Sequence, residues 1–208
     1  MTEDRPVVYI IDDDASVRNA LEDLLQSVGL TVETFGSAKE FLERETSSAP
    51  GCIVLDVRLP GASGLEFQRT LGRSGVHLPI IFISGHGDIP MSVQAMKSGA
   101  VEFLTKPLHE QALLDAIQSA IERDRTRRRE EAIVTELQLR LNSLTARERE
   151  VLNLVVTGQP NKLIAARLDL SEMTVKVHRS QVMKKMRAAT LVDLVRMADK
   201  LGLSTQEA

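Results

Sequence analysis

The sequence predicts an α/β domain built on a five-stranded, parallel, doubly wound sheet, followed by a small all-α domain of four helices, with a long helical linker between them. Three observations carry that prediction. Five apolar runs of strand length alternate with segments of helical periodicity through residue 122. From Ala112 to Leu141 there is neither Gly nor Pro to stop a helix. Charge divides along the same line: residues 1–125 carry 11 Lys+Arg against 19 Asp+Glu, and residues 126–208 carry 15 against 10. An acidic domain is therefore joined to one suited to a polyanion. The expected boundaries are 5–122, 123–140 and 141–208.

Composition narrows the class. At 208 residues with 43% hydrophobic and 3% aromatic content, the cores must be largely aliphatic. No window approaches the roughly 18 apolar residues of a membrane span. The amino terminus lacks a charged-then-apolar signal pattern, so a cytoplasmic protein without membrane contact is expected. The single cysteine, Cys52, excludes an internal disulfide and reads as a buried thiol.

Val7 to Ile11 is a continuous apolar strand that runs into Asp12-Asp13-Asp14. Val17, Leu21, Leu24, Leu25 and Val28 then recur at helical spacing, and Gly29 is placed to end that helix. Thr31 to Phe35 is a second strand. Ser37 and Glu40 are spaced as a capping box for a helix carrying Phe41 and Leu42. Cys52 to Leu55 is a buried strand closed by Asp56, with Pro60-Gly61 as the breaker, and a short helix follows from Gly64 to Leu71. Pro79 to Ile83 ends at Ser84 and the Gly85-His86-Gly87 loop, before a helix with Met91, Ala95 and Met96. Val101 to Leu104 ends at Thr105-Lys106-Pro107, and a helix begins near Glu110.

Strands of one sense meet at one sheet edge, which brings Asp12, Asp13, Asp56, Ser84 and Lys106 together. Clustered carboxylates repel unless a cation joins them, and oxygen ligands suit Mg²⁺. A carboxylate nucleophile, a metal and an ammonium clamp are the parts that phosphoryl transfer needs. His77, His86 and His109 have no evident partner and read as loop histidines.

These residues give the first 5–122 a specific resemblance. The segment resembles a response-regulator receiver domain, of flavodoxin- or CheY-like fold, at Asp12-Asp13, Asp56, Ser84 and Lys106-Pro107. The resemblance implies Asp56 as phosphoacceptor. It implies Mg²⁺ or Mn²⁺ held by Asp13, Asp56 and the Arg58 carbonyl, with Asp12 acting through water. Ser84 and Phe103 become a switch pair, Lys106 the phosphate clamp, and Lys106-Pro107 a cis bond. A rival reading takes Asp12 as nucleophile and Asp14 as general acid of a haloacid-dehalogenase-like phosphatase, which leaves Asp56 idle.

The charge run Arg123 to Glu131 reads as a solvated helix face, followed by Val134, Leu137, Leu141 and Leu144 at helical spacing. Thr145 and Glu148 form a capping box for a helix with Val151, Leu152 and Val155. Asn161 is placed to cap a second helix with Leu163, Ile164 and Leu168 inward. A turn at Asp169 to Ser171 leads to a third helix, capped by Ser171, with Met173, Val175, Val182, Met183 and Met186 among its apolar positions, making a helix-turn-helix. Seven Lys+Arg lie between Pro160 and Arg187 against two acids.

The runs Leu144 to Leu152, Asn161 to Ala165 and Leu170 to Arg179 resemble the carboxy-terminal helix-turn-helix of LuxR- and FixJ-type regulators, and the whole chain resembles FixJ-like response regulators. The resemblance implies that Lys176, Val177 and Ser180 face bases, with Thr174, His178, Arg179 and Lys184 near the DNA backbone. Pro160 departs from the Ser or Thr common there, which puts the scaffold-helix cap in question. Thr190 to Leu201 is a fourth helix whose Leu191, Leu194, Val195 and Ala198 imply a dimer contact or a closed core. The implied protein is not an enzyme beyond accepting phosphoryl and slow self-dephosphorylation. Its implied partners are a sensor histidine kinase, double-stranded DNA, RNA polymerase and a second copy when phosphorylated. A phosphorylation-controlled adaptor that never reads DNA remains the further alternative.

Overall fold

The computed structural model describes residues 5–44, 47, 49–85 and 89–203. Two compact units divide at Arg128 and Arg129. In the first unit β1 (Val7–Ile11), α1 (Ala15–Ser27), β2 (Thr31–Phe35), α2 (Ala38–Glu43) and β3 (Gly51–Asp56) come in turn. A hairpin of β4 (Arg58–Leu59) and β5 (Ala62–Ser63) precedes α3 (Gly64–Arg73). Then follow β6 (Ile80–Ser84), α4 (Ile89–Lys97), β7 (Glu102–Thr105) and α5 (Glu110–Asn142), which continues past the division between units. The main sheet has the order β2-β1-β3-β6-β7 and every pair is parallel.

Alternate residues of the central strands enter separate cores. Tyr9, Ile11, Ile53, Leu55 and Phe82 pack with Phe41 of α2, Phe67 and Leu71 of α3, and Ala95 of α4. Val8, Ile10, Cys52, Val54, Ile81 and Ile83 pack with Leu21 and Leu25 of α1 and Leu113 and Ile117 of α5. All six aromatics lie on the first face, and the second is aliphatic apart from Cys52. Phe41 anchors the aromatic side through edge contacts with Tyr9, Phe35 and Phe67 at 5.5, 5.4 and 5.9 Å. Fully burying one such side chain stabilises the fold by about 1.5–3 kcal/mol.

The second unit comprises the end of α5 with α6 (Ala146–Val156), α7 (Asn161–Leu168), α8 (Glu172–Met186) and α9 (Leu191–Lys200). Leu141, Leu144, Val151, Leu152, Val155, Ile164, Val175, Val182, Met186 and Leu194 form its core. Thr145 and Glu148 complete a reciprocal capping box, and Thr190 with Asp193 forms a second, unexpected one. Among the described residues, no helix is long and apolar enough to cross a membrane.

Several expectations need correction. Ser37 Oγ accepts the Glu40 N–H, but the Glu40 carboxylate reaches past it to the Gly36 N–H, so the expected box is only half made. Leu163 is 57% exposed rather than inward, because Ile164 and Ala165 supply the buried face of α7. Leu194 and Ala198 are each 1% exposed, buried in the core, so a dimer contact on α9 is left with Leu191 and Val195. Asp124, placed in a solvated charge run, is fully buried. His86 lies outside the described residues.

Candidate phosphoacceptor site and DNA-reading helix

The three central strands of the first unit and the edge strand β7 each run into a polar side chain where the apolar run stops. Asp12 follows β1, Asp56 closes β3, Ser84 closes β6, and Lys106 follows β7. Carboxylate oxygens of Asp12, Asp13 and Asp56 lie within 4.8 Å of one another. Lys106 Nζ donates to Asp12 Oδ2 and to Asp56 Oδ2, each at 2.7 Å. Asp12 is fully buried and Asp56 nearly so, whereas Asp13 is exposed. Burial pushes the Asp12 carboxyl above its usual range, against the pull of Lys106. Burial also works to lower Lys106, but its hydrogen bonds and its two carboxylate neighbours outweigh this and hold the ammonium above its ordinary value. The Lys106 ammonium is therefore charged at neutral pH.

The remaining contacts fix the Asp56 carboxylate. Its Oδ1 accepts the Arg58 N–H at 2.8 Å, and its chain continues through the Val57 N–H to the Ile83 carbonyl. Gly64 closes in from the start of α3, where a Cβ would lie 2.6 Å from the Asp56 carbonyl oxygen. Local sequence marks Gly64 only as a helix start, because the close approach is to the backbone at the end of β3. Ser84 is 1% exposed and its carbonyl accepts the Lys106 N–H at 2.8 Å. Phe103 is half-buried, with its ring centre 6.3 Å from that of Phe82. The Lys106-Pro107 bond is cis.

Asp14 does not join the group. It is the N-cap of α1, accepting the Ser16 N–H at 2.8 Å and the Ser16 hydroxyl at 2.6 Å. Those bonds hold its carboxyl below the ordinary range, which is the wrong direction for the general acid of the phosphatase reading.

In the second unit α7 and α8 flank the turn at Asp169, which takes left-handed backbone with φ of 54°. Ser171 caps α8 through the Thr174 N–H at 3.0 Å. Buried Val175, Val182 and Met186 turn the opposite side of α8 outward, leaving Lys176, Val177, Ser180 and Lys184 exposed on one side. Thr174, His178 and Arg179 lie half-buried on the flanks. The Thr174 hydroxyl is engaged with that of Ser171 at 2.8 Å. Asn161 does not cap α7: Pro160 is the N-cap, without a side-chain bond. Asn161 Oδ1 instead accepts Arg179 Nη1 at 2.8 Å, linking the two helices. Proline occupies the capping position, so the neighbouring amide is left to bridge helices.

A parallel α/β unit with a lysine-bridged carboxylate cluster, joined to a helix-turn-helix with an exposed basic face, defines a response regulator. Residues 8–118 match the family described as response regulator receiver domain, and residues 142–198 match the bacterial regulatory proteins of the luxR family. Nodulation protein W of Bradyrhizobium diazoefficiens is 52% identical over 200 residues, covering 96% of this chain and 88% of that protein. Transcriptional regulatory protein FixJ of Azorhizobium caulinodans is 45% identical over 204 residues, covering 98% and 96%. A solved structure of response regulator StyR is 47% identical and superposes with a TM-score of 0.84 over 94% of this chain and 99% of that one.

The chain belongs to the FixJ-like response regulators, with a receiver domain and a LuxR-type DNA-binding domain. It is a phosphorylation-controlled transcription regulator and not an enzyme in the usual sense. The receiver domain implies a histidine kinase as partner, and the LuxR-type domain implies DNA. Neither the phosphatase nor the DNA-free adaptor has support in these similarities.

Proposed function

We propose that a sensor histidine kinase transfers its phosphoryl group to Asp56, and that the phosphorylated chain binds operator DNA as a dimer. The supporting observation is the Lys106 ammonium held 2.7 Å from both Asp12 and Asp56 within the carboxylate cluster. In the transfer an Asp56 oxygen forms the bond to phosphorus while the phosphohistidine P–N bond breaks and the imidazole nitrogen keeps that electron pair. Lys106 then moves its hydrogen bonds from carboxylate to phosphoryl oxygen. Three carboxylates against one ammonium leave excess negative charge, and an all-oxygen donor set fits Mg²⁺ or Mn²⁺. Asp13, Asp56 and the Arg58 carbonyl would hold the ion, with Asp12 reached through water. The ion supplies neutralisation of charge that would repel the incoming phosphoryl group.

Residues 5–122 act as the receiver, 123–140 as linker and 141–208 as the DNA-binding domain of a cytoplasmic protein. Ser84 engages the phosphoryl oxygen, Phe103 turns inward, and the face made by α4, β7 and α5 pairs with a second copy. Lys176, Val177 and Ser180 read bases while Thr174, His178, Arg179 and Lys184 hold phosphates, and Leu191 and Val195 add a contact between paired domains. One short helix reads too few base pairs to select a site, which favours two copies on a repeated half-site. RNA polymerase is the downstream partner, and slow loss of phosphoryl from Asp56 resets the chain.

Acetyl phosphate with Mg²⁺ should label the chain, and label persisting in Asp56→Asn would reject the phosphoacceptor. Sedimentation with and without beryllofluoride tests the dimer. A chain monomeric in both states, free and on operator, would leave uncovering of the recognition helix as the mechanism.

A further inference from the structure

We propose that Arg140 and Glu136 are positioning residues of the recognition helix, fixing the angle at which α8 presents Lys176, Val177 and Ser180 without touching DNA themselves. The inference rests on α8 being the DNA-reading helix. At its carboxyl end α8 turns through Arg187, a non-glycine residue with φ of 57°, whose N–H bonds to the Met183 and Lys184 carbonyls. The Ala188 N–H also returns to Met183. Met186 O, still in the last turn, accepts Arg140 Nη1 at 3.1 Å from the end of α5. The second arm of the same guanidinium, Nη2, donates to Glu136 Oε1 at 2.5 Å, and Arg187 Nη1 lies 3.6 Å from that oxygen.

The three side chains thus form a clamp from the last turns of α5 onto the carboxyl end of α8. A planar guanidinium suits the task because its fork can address a carbonyl and a carboxylate together. The carbonyl end of a helix is also its negative end, which favours a cation there. The last turns of α5 and α9 border a groove of about 310 Å³ lined by Ile133, Leu137 and Met197 among others. The clamp adds a directional bond from α5 to the packing that seats Val175, Val182 and Met186 of α8 in the core. A recognition helix tolerates little rotation, since base-edge hydrogen bonds are directional while phosphate contacts are not.

Glu136 gives the sharper test because it is exposed and acidic. Full-length chain activated with beryllofluoride would be titrated by fluorescence anisotropy against a duplex selected by the wild-type protein and against random duplex, at several salt concentrations. Glu136→Ala should reduce the ratio of selected to random affinity by about tenfold, comparable to one lost base contact. Binding to random DNA should hold or tighten, because a negative charge has gone. Arg140→Met, which keeps an apolar stem, should reduce the ratio similarly and leave the salt slope on random DNA unchanged. Circular dichroism of both variants establishes that they are folded, and Glu136→Gln replaces any that is not. An unaltered ratio in folded Glu136→Ala would overturn the proposal. So would equal losses on both duplexes in Arg140→Met with the slope reduced by about 0.9, since that is the signature of a direct phosphate contact. A wild-type chain with no preference for any duplex would instead overturn the DNA-reading assignment beneath it.

Discussion

The buried carboxylate of Asp124 accepts the backbone N–H of Gly51 at 3.0 Å, tying the start of β3 to α5 across 73 residues of sequence. Arg127 Nη2 and Arg128 Nε also donate to it, each at 2.6 Å. Asp124→Ala removes an acceptor that all three groups share. The arginines are partly exposed and rehydrate, whereas the Gly51 amide stays buried, so the loss should be about 1–3 kcal/mol. Urea denaturation measures that loss, and hydrogen exchange localises it. A Gly51 amide as protected in the variant as in the wild type would show that the bond contributes nothing.

Gly64→Ala should damage the site and the fold together. The added Cβ meets the Asp56 carbonyl at 2.6 Å and both the Val57 Cα and the Phe82 ring at 3.1 Å, and two of these are backbone atoms with little room to shift. Overpacking of this kind costs about 1–3 kcal/mol. Displacement of Asp56 should also slow labelling by acetyl phosphate. Wild-type labelling in a destabilised variant would separate the two effects and remove Gly64 from the site.

The second unit should depend on Glu148 most strongly above the acid range. Lys185 donates to its carboxylate at 2.6 Å and the Thr145 N–H at 2.7 Å, and these bonds, Lys185 first, hold the carboxyl below its ordinary value. A depressed folded-state pKa contributes stability fully present above the unfolded value of about 4.3 and lost as pH falls through the lower folded-state value. Thermal unfolding of wild type and Glu148→Gln should therefore differ at neutral pH and converge in acid. A gap that stays constant would mean that the ion pair is not its source.

Cys52 should be inert in the native chain. It is fully buried, and burial first, with the Asp124 charge second, pushes its thiol up to about 12. Iodoacetamide near pH 8 should leave the folded protein unmodified and alkylate it in denaturant. Rapid native alkylation would mean that the sheet face covered by α1 and α5 opens readily.

Two exposed lysines on α8 should behave differently. Replacing Lys184 should weaken binding to all sequences alike and flatten the salt slope, as a lost phosphate contact does. Replacing Lys176 should narrow the gap between operator and random DNA by about 1–3 kcal/mol. Equal losses on both duplexes would move Lys176 to the backbone-contacting group.

What the sequence determined by itself was whatever local rules govern. Apolar runs of strand length alternating with helices dictate a parallel sheet, and a parallel sheet dictates that Asp12, Asp56, Ser84 and Lys106 share one edge. The Thr145 box and the Ser171 cap were legible for the same reason, since each bond closes within three residues of chain. Tertiary structure decided the groups whose partners are remote. Asp124 reads as one more member of a charge run, and its buried partner, the Gly51 N–H, is brought to it by β3 from 73 residues away. Asn161 has the right type and place for a cap, yet Pro160 takes the capping position and Arg179, 18 residues on, takes the side chain. Leu163 and Ile164 are equally apolar, and only the helices packed against α7 choose which one is buried. Periodicity sets how a helix can be divided into faces, but the direction in which a face meets a neighbour is a property of the assembled core.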